Sequence, residues 1–186
     1  MSKGIFVIQV ITTGPDGYPK DGVAEVGIAS VDLDSGEIRS VYQNRIRHEP
    51  ASLDESKIEY LENNSGMKAS DLADAEPADS VVREVKDILK GGTVTSFDVA
   101  NVFYGYMIPE PWDMTFEVSI MPSVSSRMPY SLRCREPYEE NRAIMRAYAA
   151  IYGEEAPLIP SGPATALDLA LMTAYIIINL RRQSKY

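Results

Sequence analysis

The chain has 186 residues, 45% of them hydrophobic and 24% charged, and we expect them to form one domain that spans residues 1–186. Its formal net charge is −9, which argues against an extended basic face for nucleic acid but leaves open a local basic or metal-filled groove. The single cysteine, Cys134, excludes an internal disulfide and is typical of a reducing compartment, so we expect a cytoplasmic protein. We expect no signal peptide at the N-terminus.

The N-terminal part of the chain predicts three antiparallel strands joined by short turns. Residues 4–11 are rich in Ile and Val and predict a central strand, which runs into a loop dense in Gly, Pro and Asp, TTGPDGYPKDG. VAEVGIASVDL predicts a second strand, DSG a hairpin turn, and EIRSVYQNRIRHE a third strand with an irregularity at Val41. These three strands form a meander.

The remainder of the chain alternates helices with short strands. A helix is predicted in LDESKIEYLENNSGM, and a clearer one in ADSVVREVKDILKGG, with Ser80 as its cap and Gly91 at its end. TVTSFDV and TFEVSIM predict strands, and ANVFYGYMI predicts a helix between them. Two further helices are predicted in EENRAIMRAYAAIYG and TALDLALMTAYIIINLRRQ. The apolar run in the second of them is too short to span a bilayer. This order indicates an α/β fold in which helices flank a mixed sheet.

Several of these segments, in this order, carry a resemblance to a known family. FVIQVITTG is similar to a strand that bears Asp-x-Glu before Thr-Thr-Gly, and VAEVGIASVDLDSGEI to a strand that reads Ile-x-Glu-Ile-Gly before a hairpin. TVTSFDVANVFYGYM and GPATALDLALMTAY fall where a second and a third motif are expected. The chain resembles the DnaQ-like (DEDD) 3′–5′ exonucleases over nearly its whole length. The resemblance implies an RNase H-like fold: a mixed sheet, made of an antiparallel three-strand meander plus parallel strands, flanked by helices.

The resemblance also implies a chemistry that the residues of this chain have largely lost. Enzymes of that family use two divalent ions, about 4 Å apart and held by four acidic residues, together with a general base for the attacking water. At the matching positions this chain has Gln9, Ile11 and Asn101 instead of acids, and Pro163 instead of the base. The retained acidic position is Asp168, which makes it the expected catalytic residue and metal ligand if any activity remains.

A rearranged acidic site is the alternative. Asp98 lies three residues before Asn101 and could act as a shifted ligand, although a helix cap is the simpler interpretation of this residue. Asp16 or Glu25 could approach the site from the loop and the second strand. The only histidine, His48, is expected on the surface, away from the third motif.

Three functions therefore stay open. The first is a catalytically inactive exonuclease-like protein that binds a single-stranded DNA or RNA end, or a protein partner, with Thr12, Thr13, Gly14 and Tyr104 as candidate nucleic-acid contacts and no cofactor. The second is an active 3′–5′ exonuclease that uses Mg²⁺ or Mn²⁺ at Asp168 and Asp98. The third is an assembly module without affinity for nucleic acid. Further candidate contacts are Phe103, Tyr106, Arg127, Arg133 and Arg135. A homodimer is implied by the resemblance alone.

Overall fold

A five-stranded mixed sheet forms the centre of the molecule. The computed structural model describes residues 4–115 and 118–186. The strands are β1 (Ile5–Thr12), β2 (Val23–Val31), β3 (Ile38–Arg45), β4 (Thr93–Thr95) and β5 (Ser119–Ile120), arranged in the order β3-β2-β1-β4-β5. β1 and β3 run antiparallel to β2, whereas β4 is parallel to β1 and β5 is parallel to β4. The predicted α/β fold with a three-strand meander is therefore confirmed.

Helices cover both faces of this sheet. They are α1 (Glu55–Ser65), α2 (Ala69–Ala73), α3 (Ala78–Leu89), α4 (Glu140–Tyr152) and α5 (Ala166–Arg182), with short 3₁₀ turns at Pro50–Ser52, Val124–Arg127, Tyr130–Leu132, Pro137–Glu139 and Gly153–Glu155. Ala100–Met107 forms a π-helical segment, at whose end Ile108 N donates to Phe103 O at 2.8 Å. No helix in the described part of the chain is long and apolar enough to cross a membrane.

Alternation along β1 divides the core between the two faces of the sheet. Ile5 and Val7 pack with α4 and α5, while Ile8 and Val10 pack with α3 and the π-helical segment. Gln9 lies on the same face as Val7, and so does Ile11, which joins a third apolar cluster under α1 and α2. The first-motif positions therefore face the side of the sheet that α4, α5 and α1 cover.

Of the predictions for single elements, some are confirmed and others are wrong. The irregularity at Val41 is a bulge, because Ser40 pairs with Ala29 and Tyr42 with Ile28, which leaves Val41 as the extra residue. Ser80 is not the cap of α3: the helix begins at Ala78, and Pro77 O accepts from Ser80 N. The helix predicted after β4 is π-helical, and α2 was not predicted. In the last predicted strand, Ser119 and Ile120 are extended, and Phe116 and Glu117 lie outside the described residues.

Candidate functional site

Gln9 and Asn101, two of the four residues that stand where the resemblance implies catalytic groups, meet at one buried carboxyl group, that of Glu140. This residue begins α4 and is 4% exposed. Its Oε1 accepts from Asp98 N at 3.1 Å, and its Oε2 accepts from the amide nitrogen of Asn101. The Gln9 amide is oriented with its nitrogen 3.1 Å from Glu140 Oε1 and its oxygen 2.7 Å from Phe97 N, since the opposite orientation would bring two oxygens together. Three donors from β1 and the start of the π-helical segment thus converge on one carboxyl group.

The protonation of Glu140 follows from this environment. Burial raises its pKa from 4.5 to about 8, and the neighbouring Asp98 carboxylate acts in the same direction, while hydrogen bonds from Asn101 and Asp98 N oppose the shift. At neutral pH the carboxyl group is therefore mostly uncharged. The Asn101 amide can present either its nitrogen or its oxygen, so it can serve both protonation states.

Little space remains at this position. The cavity beside Glu140 measures about 10 Å³, which is room for about one water molecule. We call it the closed cleft. It is bounded by Val10, Ile11, Thr12, Tyr60, Asn64, Asn101, Pro137, Tyr138, Glu140 and Asn141. The 3₁₀ turn Pro137–Glu139 leads directly into Glu140. The residue that accepts these hydrogen bonds therefore also fixes one wall of the closed cleft.

The chemistry of these groups does not fit a two-metal centre. Divalent cations of the Mg²⁺ type need several anionic oxygen ligands, and here amide nitrogens point towards the one buried carboxyl group. Ile11, at the second acidic position, is a core residue with Leu53, Leu61 and Leu72. Within residues 4–115 and 118–186, no three His, Cys, Asp or Glu side chains are grouped closely enough to hold a metal ion.

Asp168 makes local hydrogen bonds at the start of α5. Its Oδ2 accepts from the backbone N and from Oγ1 of Thr165, both at 2.9 Å, and Thr165 Oγ1 accepts from Asp168 N at 3.1 Å. This reciprocal arrangement is a capping box. The α5 residue that faces Gln9 is Thr173, whose Oγ1 lies 3.4 Å from the Gln9 amide. Five residues along a helix correspond to about 140° of rotation, so Asp168 and Thr173 point in different directions.

The other acidic candidates are also engaged in local contacts. Asp98 Oδ1 accepts from the backbone N–H groups of Ala100 and Asn101, at 3.0 and 3.4 Å, where the π-helical segment begins. Glu25 is fully buried: Oε1 accepts from Ala166 N at 2.8 Å, and Oε2 pairs with Arg45 at 3.2 Å. Glu25 therefore ties the N-terminus of α5 to the sheet.

The closed cleft is not lined by the other residues that the sequence singled out, Pro163, His48, Asp16 and Cys134. Pro163 is exposed and packs against Gly66, which ends α1. His48 was expected on the surface but is half-buried, with Nε2 2.9 Å from Val23 O. Asp16 is exposed and pairs with Lys20. Burial raises the pKa of Cys134 to about 12, so little thiolate forms near neutral pH.

The polar groups of the Thr-Thr-Gly turn make hydrogen bonds inside the protein. Thr12 and Thr13 are buried; Thr13 N donates to Gly22 O at 2.9 Å, and Thr13 Oγ1 accepts from Gly22 N. Gly14 O accepts from Thr12 Oγ1 at 2.8 Å and from the Tyr106 hydroxyl at 2.6 Å. These contacts fix the loop that follows β1.

Aromatic and basic groups are exposed on the elements that border the closed cleft. Tyr104, on the π-helical segment, is 65% exposed, whereas Phe103 and Tyr106 are buried. Tyr130 is 71% exposed, and the Arg135 guanidinium lies 5.0 Å from the centre of its ring. Arg127 and Arg133 are exposed in the same stretch of chain, which continues into Pro137 and Tyr138.

Solved structures share this arrangement of strands and helices. The nuclease domain of 3′hExo, described as a DEDDh family member bound to rAMP, matches 98% of this chain and 93% of its own, with 14% identity and a TM-score of 0.61. The chain has the DnaQ-like exonuclease fold. E. coli exonuclease I in complex with a dA16 oligonucleotide matches with 12% identity, a TM-score of 0.57 and 42% of its own length. Cell-death related nuclease 4 matches with 12% identity, a TM-score of 0.55 and 64% of its own length.

The DnaQ-like exonuclease fold was expected from the resemblance and is confirmed at the level of architecture. The sequence itself matches no protein-family model and no curated protein. Sequence reasoning missed Glu140, the residue on which the site is centred. A signal for it exists, because Glu140 precedes Ala143, Ile144 and Ala147 at the spacing of one helix face, and all of these are buried.

Proposed function

We propose that this protein is a catalytically inactive member of the exonuclease fold that acts by binding rather than by hydrolysis. The observation that carries the proposal is the Glu140 network, which uses the side chains of Gln9 and Asn101 as hydrogen-bond donors where the exonuclease reaction needs metal-ligating acids. The closed cleft, at about 10 Å³, leaves no room for a nucleotide at this position.

We expect the purified protein to leave a 5′-labelled single-stranded DNA or RNA unshortened in the presence of Mg²⁺ or Mn²⁺. The assay resolves products on a denaturing gel, and Asp168→Ala and Asp98→Ala are measured beside the wild type. Stepwise 3′ shortening that is lost in either variant would establish the rearranged acidic site instead. Shortening that persists in both variants would point to a contaminating nuclease.

As the bound partner we propose single-stranded nucleic acid, held on the surface beside the closed cleft rather than inside it. Tyr104 and Tyr130 offer exposed rings for base stacking, and Arg127, Arg133 and Arg135 offer charges for phosphates. The structures of 3′hExo with rAMP and of exonuclease I with an oligonucleotide show that relatives in fold bind such ligands. A reducing, cytoplasmic location belongs to the same proposal.

We expect weak, salt-sensitive binding of a fluorescent single-stranded oligonucleotide, measured by anisotropy. Tyr130→Ala removes both a stacking surface and the ring under Arg135, so its affinity should fall about fivefold or more. Tyr18→Ala is the matched control, because Tyr18 is also exposed but lies in the loop after β1, and we expect it to bind like the wild type. No binding at low salt would contradict this assignment.

The second candidate is a protein-binding or homodimeric assembly module. It is favoured by a groove of about 560 Å³ between the end of α1, α4 and the segment before α5. Ile159, which is 78% exposed, and Met145 line this groove and present apolar surface to solvent. Absence of oligonucleotide binding, together with a dimer mass that Ile159→Ser reduces to a monomer, would favour this candidate over the first.

A further inference from the structure

A second cavity, of about 260 Å³, lies on the other side of the Thr-Thr-Gly turn from the closed cleft. Thr13 lines this cavity, whereas the preceding residue, Thr12, lines the closed cleft. Its walls come from the loop after β1, the segment after β3, the start of α1, α3 and the segment that follows the π-helical segment. We call it the cationic cavity, after Lys20, Arg47 and Lys57 at its rim.

The floor of the cationic cavity is apolar. It consists of buried side chains that also belong to the core or pack against it: Val23, Ile46, Leu53, Val82 and Trp112. Trp112 is the only tryptophan in the chain. A dry cavity of about 150 Å³ is enough for a benzene ring. The cationic cavity, at about 260 Å³, therefore has space for two fused rings.

The rim is polar and positively charged. Lys20 and Arg47 are exposed, and the Lys57 amino group is fixed by donating to Lys20 O at 2.6 Å. The carboxylates that line the cavity are Asp21, which pairs with Lys57 at 3.7 Å, and Glu110, which is exposed. Lys20 also pairs with Asp16 at 3.4 Å and Lys57 with Asp21, which leaves Arg47 as the rim cation without a carboxylate partner among the described residues.

Asp21 is held in place by the loop after β1. Its Oδ2 accepts from Asp16 N at 2.9 Å, and the carboxylate packs against Gly14, where a Cβ atom would collide with both of its oxygens. Arg47 is oriented by a hydrogen bond from Nε to Ala75 O at 3.0 Å. The side chains that flank the opening are therefore positioned by the fold.

We propose that the cationic cavity binds a small aromatic monoanion, with its ring system on the Trp112 floor and its carboxylate at Lys20, Arg47 and Lys57. The combination of an apolar floor with a few charged groups at the rim is typical of small-molecule sites. This site lies outside the closed cleft and uses none of the groups that contact Glu140, so it stands independently of the proposed function.

The test uses 1-naphthoate as the probe and the indole N–H signal of Trp112 as the readout in ¹⁵N–¹H spectra of the whole protein. Because the chain has one tryptophan, this signal reports directly on the floor of the cavity. We expect a saturable shift with 1-naphthoate and at least tenfold weaker binding of the neutral 1-naphthamide, since charge-assisted hydrogen bonds are the stronger ones.

A pair of double variants separates the site from a general charge effect. Lys20→Ala with Arg47→Ala removes two rim cations, and the affinity for 1-naphthoate should fall on the order of tenfold. Arg142→Ala with Arg146→Ala removes the same charge from the exposed side of α4 and should leave the affinity unchanged. Equal affinities of the two double variants, equal binding of naphthoate and naphthamide, or no saturable shift would each overturn the proposal.

Discussion

In Glu140→Gln, the free energy of unfolding should lack the pH dependence that we expect of the wild type between pH 4.5 and about 8. The folded protein binds the Glu140 proton more tightly than the unfolded chain, because burial raises the pKa of this carboxyl group. Its stabilising contribution is therefore fully present below pH 4.5 and is lost as the pH rises through about 8, by on the order of 1.4 kcal/mol per pH unit.

The measurement is urea unfolding followed by circular dichroism at several pH values from mildly acidic to mildly alkaline. The glutamine variant should be close to the wild type in stability at acidic pH and more stable by several kcal/mol at alkaline pH, since it never acquires the buried charge. Glu140→Ala should cost about 3–5 kcal/mol, because Asp98 N, Asn101 and Gln9 lose their common acceptor. Glu139→Gln, one position earlier, is the control and should keep the wild-type pH profile. A wild-type stability that is flat or rises with pH would contradict this description of Glu140.

Gly27→Ala should destabilise the protein by about 3 kcal/mol or more. Gly27 lies opposite Gln9 in the sheet, and α5 packs directly on it: a Cβ atom there would overlap with backbone atoms of Ala166 and Leu167. The atoms that the new Cβ atom would meet belong to the backbone, which cannot move aside as a flexible side chain would. Glu25, two residues earlier, accepts a hydrogen bond from Ala166 N, so the two residues together set the position of α5 on the sheet.

The matched control is Gly162→Ala, because no atom lies within 4 Å of a Cβ built at Gly162 and we expect a change within about 0.5 kcal/mol. Both variants are compared by chemical denaturation with the wild type. A Gly27→Ala protein as stable as the wild type would mean that α5 lies farther from β2 than the structure shows.

The sequence predicted the fold because the informative residues are local. The Ile- and Val-rich run of β1, the turn residues of the loop after β1, the apolar spacing of α3 and the apolar run of α5 can each be recognised from neighbouring residues in the chain. Even the bulge at Val41 was visible as a break in the alternation of β3. The Glu25-x-Gly27 pattern now has a physical explanation, since the carboxylate caps α5 and the glycine admits its backbone.

The centre of the site was not predictable in the same way. A glutamate in the first turn of a helix is ordinarily exposed and favoured by the helix dipole, and this expectation outweighs the position of Glu140 on the apolar face of α4. Its burial depends on Gln9 and Asn101, which are distant in the sequence and meet it only through the tertiary fold. Likewise, the position of Asp168 in the third motif is compatible with a metal ligand, and its capping box with Thr165 emerges only from the geometry of α5.

In the function that we propose, the hydrogen-bonded Glu140 network takes the place of a two-metal centre. Calorimetric titration of the protein with Mn²⁺, with a short single-stranded oligonucleotide present, tests this claim most directly. We predict no heat of specific metal binding in the wild type and none in Asp168→Ala, because the donors around Glu140 are amide and backbone nitrogens. Tight binding of two Mn²⁺ ions that Asp168→Ala abolishes would contradict it and would show that the acidic site has been rearranged rather than lost.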